Sequence, residues 1–421
     1  MVRSIILSRS LFHTISNGAQ RMKILFISIA WPQKGERNLY KDLMDEFVEH
    51  GHQIFVVCSD HHATNLAGMG SLEDGIHVVR VRTLKIRKVG RLGKALALPL
   101  LGLQFRLAVN RHLKNQELDL ILMHTPPVNL SGLMAYIKKK YRASFYLLLK
   151  DIWPHNQADL GLIRKKGLIW QYFRWHEKRI YKLADYIGCM SPKNVSYIAD
   201  NNKYLDPGKI EVNPNSIRIQ TKQPENGLSV RQKYHIPEEA TTFIFSGNLS
   251  RGHNLEFLIE SIHHLKGYKK AFFIIGGKGM YYGYLKRKIE EFRLTNAFLY
   301  YYLPEDDFNR IMSTSDVGLI LLDHRYQTPQ FPSRVLSYLE SGKPVLCSVN
   351  KGTDIGEIIE KAGCGLSTPN NDMDAFIRGV KYFTENEALK DLMGKRSRAL
   401  LENHYSTFHS YSQIISHFEK N

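Results

Sequence analysis

Cysteine is scarce and scattered in this sequence: Cys58, Cys189, Cys347 and Cys364 are the four, with no C-x-x-C spacing. That argues against a disulfide framework or a structural zinc site and predicts reduced, packed thiols. No run of about 18 apolar residues occurs, so no segment reads as a bilayer-spanning helix. Zinc-finger spacing, RNP-like aromatics and a basic zipper are missing, so nucleic acid has no recognisable reader. Carboxylates at magnesium or zinc spacing are missing as well, and no metal is expected. Acid itself is in short supply, 40 Asp and Glu against 58 Lys and Arg. The resulting charge of +18 calls for an anionic partner, a membrane surface or a phosphorylated substrate.

A chain of 421 residues with 43% hydrophobic content can build two domains, each with its own core. Residues 1–21 carry arginine and serine without acid. They read as a tail, as a transit-like segment, or as residues upstream of a start at Met22. From Met22 a β/α alternation begins. MKILFISIA is a buried strand, WPQKGERN a loop containing Gly35 but no G-x-G-x-x-G, LYKDLMDEFVEHGH an amphipathic helix and QIFVVCS the next strand. Between Arg80 and Lys114 stand ten basic residues and no acid, interleaved with LALPLLGL. That stretch suits an anionic lipid surface, or else a solvated helical face. Lys138–Lys140 and Arg164–Lys166 add basic clusters, and the aromatics of GLIWQYFRWHEKRIYKLADYI read as packing.

Ligands of open α/β sheets bind beyond the carboxyl ends of the strands. LDLILMH ends in His124 and ASFYLLLKD in Lys150 and Asp151, so these three are candidate cleft residues; Asp151 could equally cap a turn. Arg218–Glu239 reads as the linker to a second domain. There, TTFIFSGNLSRGHNL places Gly247, Asn248 and Arg251 after a strand, and AFFIIGGKG does the same for Gly276, Gly277 and Lys278. The segment YQTPQFPSRVLSYLESGKPV predicts a helix between two buried strands, with Pro332, Ser333 and Arg334 in its first turn. The unpaired N–H groups there and Arg334 suit a phosphate, although many helices start this way and bind nothing.

The string PSRVLSYLESGKPV resembles the PSK-x-x-E-Y-M-A-x-G-K-P-V segment of the retaining nucleotide-sugar glycosyltransferases of family 4, and D-I-W-P resembles their polysaccharide-assembly members. The resemblance runs from Met22 onward. It implies the α/β GT-B architecture: two facing Rossmann-like domains, here 22–216 and 217–402, with residues 403–421 returning to the first. It also implies that Gly247, Asn248, Arg251, Gly276, Gly277, Leu303, Ser333 and Arg334 bind a UDP- or GDP-sugar, to which Lys278, where the family often has G-x-G, would add positive charge and Gln330 and Ser337 polar groups in place of the family's acids. His253 would assist, Gly35 would lie toward the acceptor, and Asp151, with Lys150 and His124, would serve catalysis.

Implied too is retention of configuration, with no cofactor expected; the basic, apolar composition of the first domain adds the expectation of a lipid-linked or anionic saccharide acceptor, met by a cytoplasmic enzyme peripheral to the inner face of the plasma membrane. The family's two glutamates are replaced by Pro329 and Ser337, with Gln330 or Glu340 as nearby substitutes. That leaves open a module that has lost catalysis and serves another transferase as a binding or scaffolding partner. A sugar-nucleotide epimerase would need more acids in the cleft.

Overall fold

The computed structural model describes residues 21–60, 65, 68–84, 91–220 and 228–418. The expectations for residues 1–20, for 85–90 within the basic stretch and for 221–227 within the linker lie outside the described residues.

In the first half, strands β1 (Lys23–Ser28), β2 (Gln53–Asp60), β3 (Met69–Glu73), β4 (Ile76–Arg82), β5 (Leu120–His124), β6 (Ser144–Leu149), β7 (Tyr186–Cys189) and β8 (Ile210–Val212) form one sheet in the order β3-β4-β2-β1-β5-β6-β7-β8. β1 lies parallel to both β2 and β5, with Ile24 opposite Ile54 and Leu120. Burial on both faces is why β1, β5 and β6 read as continuous apolar runs. Only β3 runs antiparallel, at an edge. Helix α1 (Leu39–Glu49) starts where Asn38 Oδ1 accepts from the N–H groups of Tyr40 and Lys41. The helices α2 (Arg91–His112), α3 (Ser131–Tyr141), α4 (His155–Asp159), α5 (Leu168–Leu183) and α6 (Pro192–Asn201) follow in turn.

The expected linker contains a helix, α7 (Leu228–Lys233). Beyond it the chain runs through β9 (Thr241–Ser246), α8 (Leu255–His264), β10 (Ala271–Gly276), α9 (Tyr282–Glu291), β11 (Ala297–Tyr300), α10 (Glu305–Thr314), β12 (Val317–Leu321), α11 (Arg334–Glu340), β13 (Val345–Val349), α12 (Ile355–Lys361) and β14 (Gly365–Pro369). Their six strands make a second sheet, parallel throughout, in the order β11-β10-β9-β12-β13-β14. Pro332 sits before α11 rather than in its first turn. Three-residue closures, Val335 N–H to Pro332 O at 3.2 Å and Leu336 N–H to Ser333 O at 3.1 Å, lead into the helix.

After α13 (Met373–Glu385) and α14 (Glu387–His404) the chain returns to the first sheet as α15 (Thr407–Ile415). Linker and return segment cross side by side: Ile217 N–H donates to Tyr405 O at 3.0 Å, and Thr407 N–H to Ile217 O at 3.1 Å. Tyr411, Ile414 and Ile415 then enter the core cluster that holds Phe47, Ile24 and Val56. Tyr411 meets Phe47 edge-on at 5.0 Å, and its hydroxyl bonds His52 Nε2 at 3.0 Å. Replacing Tyr411 with Ala should cost about 3–5 kcal/mol of stability, the range for emptying an aromatic core site. Urea unfolding followed by tryptophan fluorescence would check this, and an unchanged midpoint would mean that α15 is dispensable to the first sheet.

Candidate active site

The carboxyl ends of β9, β10 and β11 are brought into backbone contact by glycine. Gly247 N–H donates to Gly276 O at 2.9 Å and Gly277 N–H to Tyr300 O at 3.0 Å. A Cβ on Gly277, which has φ +130°, would stand 1.7 Å from Gly247 O, and one on Gly276 would enter the Tyr300 ring. The exposed side of Gly247 faces Arg334: a Cβ there would lie 3.7 Å from Nη2.

Arg334, the first residue of α11, reaches back over the Phe245 ring, with its guanidinium carbon 4.0 Å from the centroid. Nη2 donates to His253 Nε2 at 2.9 Å and lies 3.5 Å from Asn248 O, while Nη1 is buried without a partner. Burial lowers the pKa of Arg334 and, with Arg334 beside it, holds that of His253 well below the usual imidazole range. A neutral His253 accepts from Arg334 and adds no charge. No carboxylate pairs with Arg334 among the described ion pairs; the Tyr338 hydroxyl favours its charge, and this wall carries a half-buried cation whose Nη1 is a spare donor.

The other expected donor-side residues are distributed differently. Lys278 is exposed, its ammonium 5.1 Å from the centroid of Tyr302, and Leu303 is buried beside that turn. Arg251, which the sequence grouped with Arg334, lines a separate groove with Glu256, Asp323 and Arg325 and interacts with Tyr281. In the turn Arg251–His253 both end residues are half-buried, His253 meeting Arg334 and Arg251 meeting Tyr281. Ser333 Oγ accepts from Asn215 Nδ2 at 2.6 Å, a bond between the two halves. Ser337 is exposed, whereas Pro329 is buried with its carbonyl accepting from Asn194 Nδ2 at 3.1 Å. The two nearby substitutes are engaged elsewhere. Gln330 Nε2 donates to Thr328 Oγ1 at 2.9 Å, and Glu340 accepts from Gln220 N–H at 3.2 Å.

On the facing wall, His124 ends β5, bonds Ser28 Oγ through Nε2 at 3.1 Å and stacks on Tyr40 at 4.2 Å. Burial, with Lys150 nearby, pushes its pKa down to about 4, so it is neutral at pH 7. Lys150 Nζ donates to Asn213 O at 3.0 Å, and burial lowers its pKa to about 7. Asp151 is an exposed residue whose carboxyl is nonetheless crowded by surrounding protein, which raises its pKa to about 6. Burial and, after it, the charge of Asp151 raise the pKa of both Tyr40 and Tyr326, which places Asp151 near a tyrosine of each half. Thr125 Oγ1 fixes its backbone, donating to Asp151 O at 3.1 Å. Gly35, at φ +87°, stands in open space on the loop after β1.

Sequence reasoning missed the groups that hold the walls together. Asp159 Oδ2 accepts from Gln327 N–H at 3.0 Å, and from Thr328 N–H and Oγ1 at 2.8 Å each; Lys193 N–H donates to Asp354 Oδ2 at 2.8 Å. The signal in the sequence was only an acidic residue at the end of a short helix. Among the described residues no cluster of three or more His, Cys, Asp or Glu could hold a metal ion. The assembled cleft can bind an anion on one wall and exchange a proton on the other.

The two halves match two family models: residues 35–221 match Glycosyltransferase Family 4, and residues 229–400 match Glycosyl transferases group 1. A probable glycosyltransferase, WbjE of Pseudomonas aeruginosa, is 26% identical over 314 residues, covering 71% of this chain and 74% of that one. Among solved structures, a sucrose-phosphate synthase from Thermosynechococcus elongatus superposes with TM-score 0.74 at 13% identity, over 94% of this chain and 98% of its own. Anabaena HepE in complex with UDP and glucose superposes with TM-score 0.66 at 15% identity, over 94% and 99%. Two facing parallel sheets with a cleft between them, each half matching its own family model, make the chain a member of the family 4 glycosyltransferases with the GT-B fold.

Proposed function

We propose that the chain transfers a hexosyl or acetamidosugar group from a nucleoside-diphosphate sugar, UDP before GDP, to a lipid-linked or growing polysaccharide acceptor with retention of configuration and without a metal. The observation that carries this reading is the buried, unpartnered Nη1 of Arg334 above a glycine floor at the strand ends. A half-buried cation without a counterion loses part of its hydration uncompensated, and a diphosphate entering there would supply the missing charge. The same charge would stabilise the departing nucleoside diphosphate, which is electrostatic catalysis by a pre-aimed donor. On this reading the bond from the sugar C1 to the diphosphate oxygen breaks as the acceptor oxygen bonds C1 on the same face. The departing phosphate assists in taking the acceptor proton, and Asp151 accepts a hydrogen bond from the acceptor hydroxyl. UDP is favoured because HepE is solved with UDP and glucose; WaaG, described as involved in lipopolysaccharide biosynthesis, shares the fold with TM-score 0.64. The chain would work at the inner face of the plasma membrane, where such an acceptor is anchored.

One observation favours a second reading, a module without turnover. Both glutamate positions lack an acid, and Gln330 and Glu340 are held elsewhere.

Three measurements test these readings. In thermal unfolding, UDP at about 100 times its Kd should stabilise the protein by about 2.7 kcal/mol, with smaller shifts for GDP and ADP. Stabilisation by none of them would remove the donor site. Arg334→Ala should weaken UDP binding about 10- to 150-fold, the range for one charge-assisted hydrogen bond, and equal affinity would place that side chain outside the site. Turnover on a panel of UDP-sugars separates enzyme from binding module. Where turnover occurs, the carboxyl of Asp151 is ionised above about 6 and protonated below it, so kcat/KM should fall as pH drops through about 6. Asp151→Asn should lower the rate and erase that limb; an unchanged limb would assign it to another group.

A further inference from the structure

Helix α5 has a second face that the packed core does not use. Its inner stripe, Arg174, Glu177, Ile180 and Tyr181, is buried. Leu168, Ile169 and Trp175 are 85%, 62% and 56% exposed, and Tyr172 is exposed with them. Positions 168, 172 and 175 share one helical face, so this is a continuous apolar and aromatic strip, unlike scattered single residues. Here the sequence-based expectation that these aromatics pack holds for one side only: Phe173 packs edge-on against Trp153 at 5.4 Å and Trp170 against His155 at 5.6 Å, while Tyr172 and Trp175 face outward.

The surroundings of the strip are cationic. Arg164, Lys165 and Lys166 are exposed just ahead of α5, and Arg179 lies 5.4 Å over Trp175. From Leu160 to Leu183 the one acid is Glu177, fully buried and paired with Arg174 at 2.6 Å. On α2, exposed Leu103 and Leu107 alternate with exposed Arg106 and Arg111. Both helices pack on the turn Val128–Leu130 that leads into α3, so the two strips flank one feature. By contrast, Arg80, the first cation of the basic stretch, is spent on Glu73 at 2.9 Å and on the carbonyl of Pro32. Lys138 is likewise spent, on Asp185 at 2.6 Å.

We infer that the outer face of α5, continued by Leu103 and Leu107, seats this protein on an anionic bilayer. Leucine, isoleucine and the two aromatics enter the interface, and the basic residues meet the headgroups. A second copy of the chain fits this face less well, because two cationic rims would oppose each other across it. The roots of α5 rest on Trp153 and His155, two and four residues beyond Asp151, so the seat borders the acceptor wall. An acceptor on a lipid carrier would reach Asp151 from this side, a statement that rests on the transferase reading; the bilayer seat itself does not.

The test is co-sedimentation of the full chain with phosphatidylcholine vesicles, with and without phosphatidylglycerol, at low and high salt. Wild type should pellet with the anionic vesicles only, and less so as salt rises. The double variant Leu168→Asp, Ile169→Asp should bind at least about 10-fold more weakly, with unchanged melting and unchanged stabilisation by UDP. Equal binding by the variant, no binding by wild type, or equal binding of wild type to neutral vesicles would overturn the proposal. So would a lipid-free dimer that the variant converts to monomer. Vesicle binding without nucleotide binding would keep the seat and remove the transferase reading, so the two fail separately.

Discussion

The arrangement hangs on the place where the chain crosses between its sheets. There the segment around Ile217 and the segment around Tyr405–Thr407 bond to each other, and Asn213 stands just ahead of the crossing with its polar groups used. Its Nδ2 donates to the Tyr146 hydroxyl at 2.9 Å, its Oδ1 accepts from Ser410 at 2.7 Å, and its carbonyl holds Lys150 Nζ. One residue therefore links the core of the first sheet, the returning helix α15 and a charged group of the cleft. A displacement of α15 would be felt at Lys150 through a single side chain and its own backbone, since bonds made inside a low-dielectric interior are costly to leave unmade.

The cleft that this crossing frames is electrostatically one-sided. Arg334 is kept charged in a place where burial disfavours charge, with a neutral imidazole where an anion could have stood. Asp151 is held near the point where it can be either acid or base, and His124 is held neutral. The glycines at the strand ends let the backbone come close enough to pack these groups without side chains in the way. The result is a wall that lacks only a negative charge, faced by a wall that can handle a proton.

Much of this was legible in the sequence. Buried parallel strands announce themselves as apolar runs, and strand ends such as LILMH and YLLLKD put His124, Lys150 and Asp151 at the cleft by topology alone. PSRVLSYLESGKPV carried Arg334 and the family. What could not be read was side-chain partnership within irregular turns: Arg251 and His253 are two residues apart and meet Tyr281 and Arg334 respectively, and nothing in periodicity distinguishes them. Nor could the sequence show which face of α5 would be left outside, because aromatic residues at helical spacing serve a core and a surface equally well until the neighbours are placed. The clamps across the cleft, Asp159 on Thr328 and Asn194 on Pro329, join residues more than a hundred positions apart and leave no local pattern.

The clamp at Asp159 has a mechanical consequence. One carboxylate oxygen takes three hydrogens from two adjacent residues of the opposite half, two from backbone and one from a hydroxyl. These cannot be released one at a time by small rotations, because all three converge on a single atom. Moving that one oxygen away breaks all three bonds together, so this contact between the halves behaves as a single unit, like a latch.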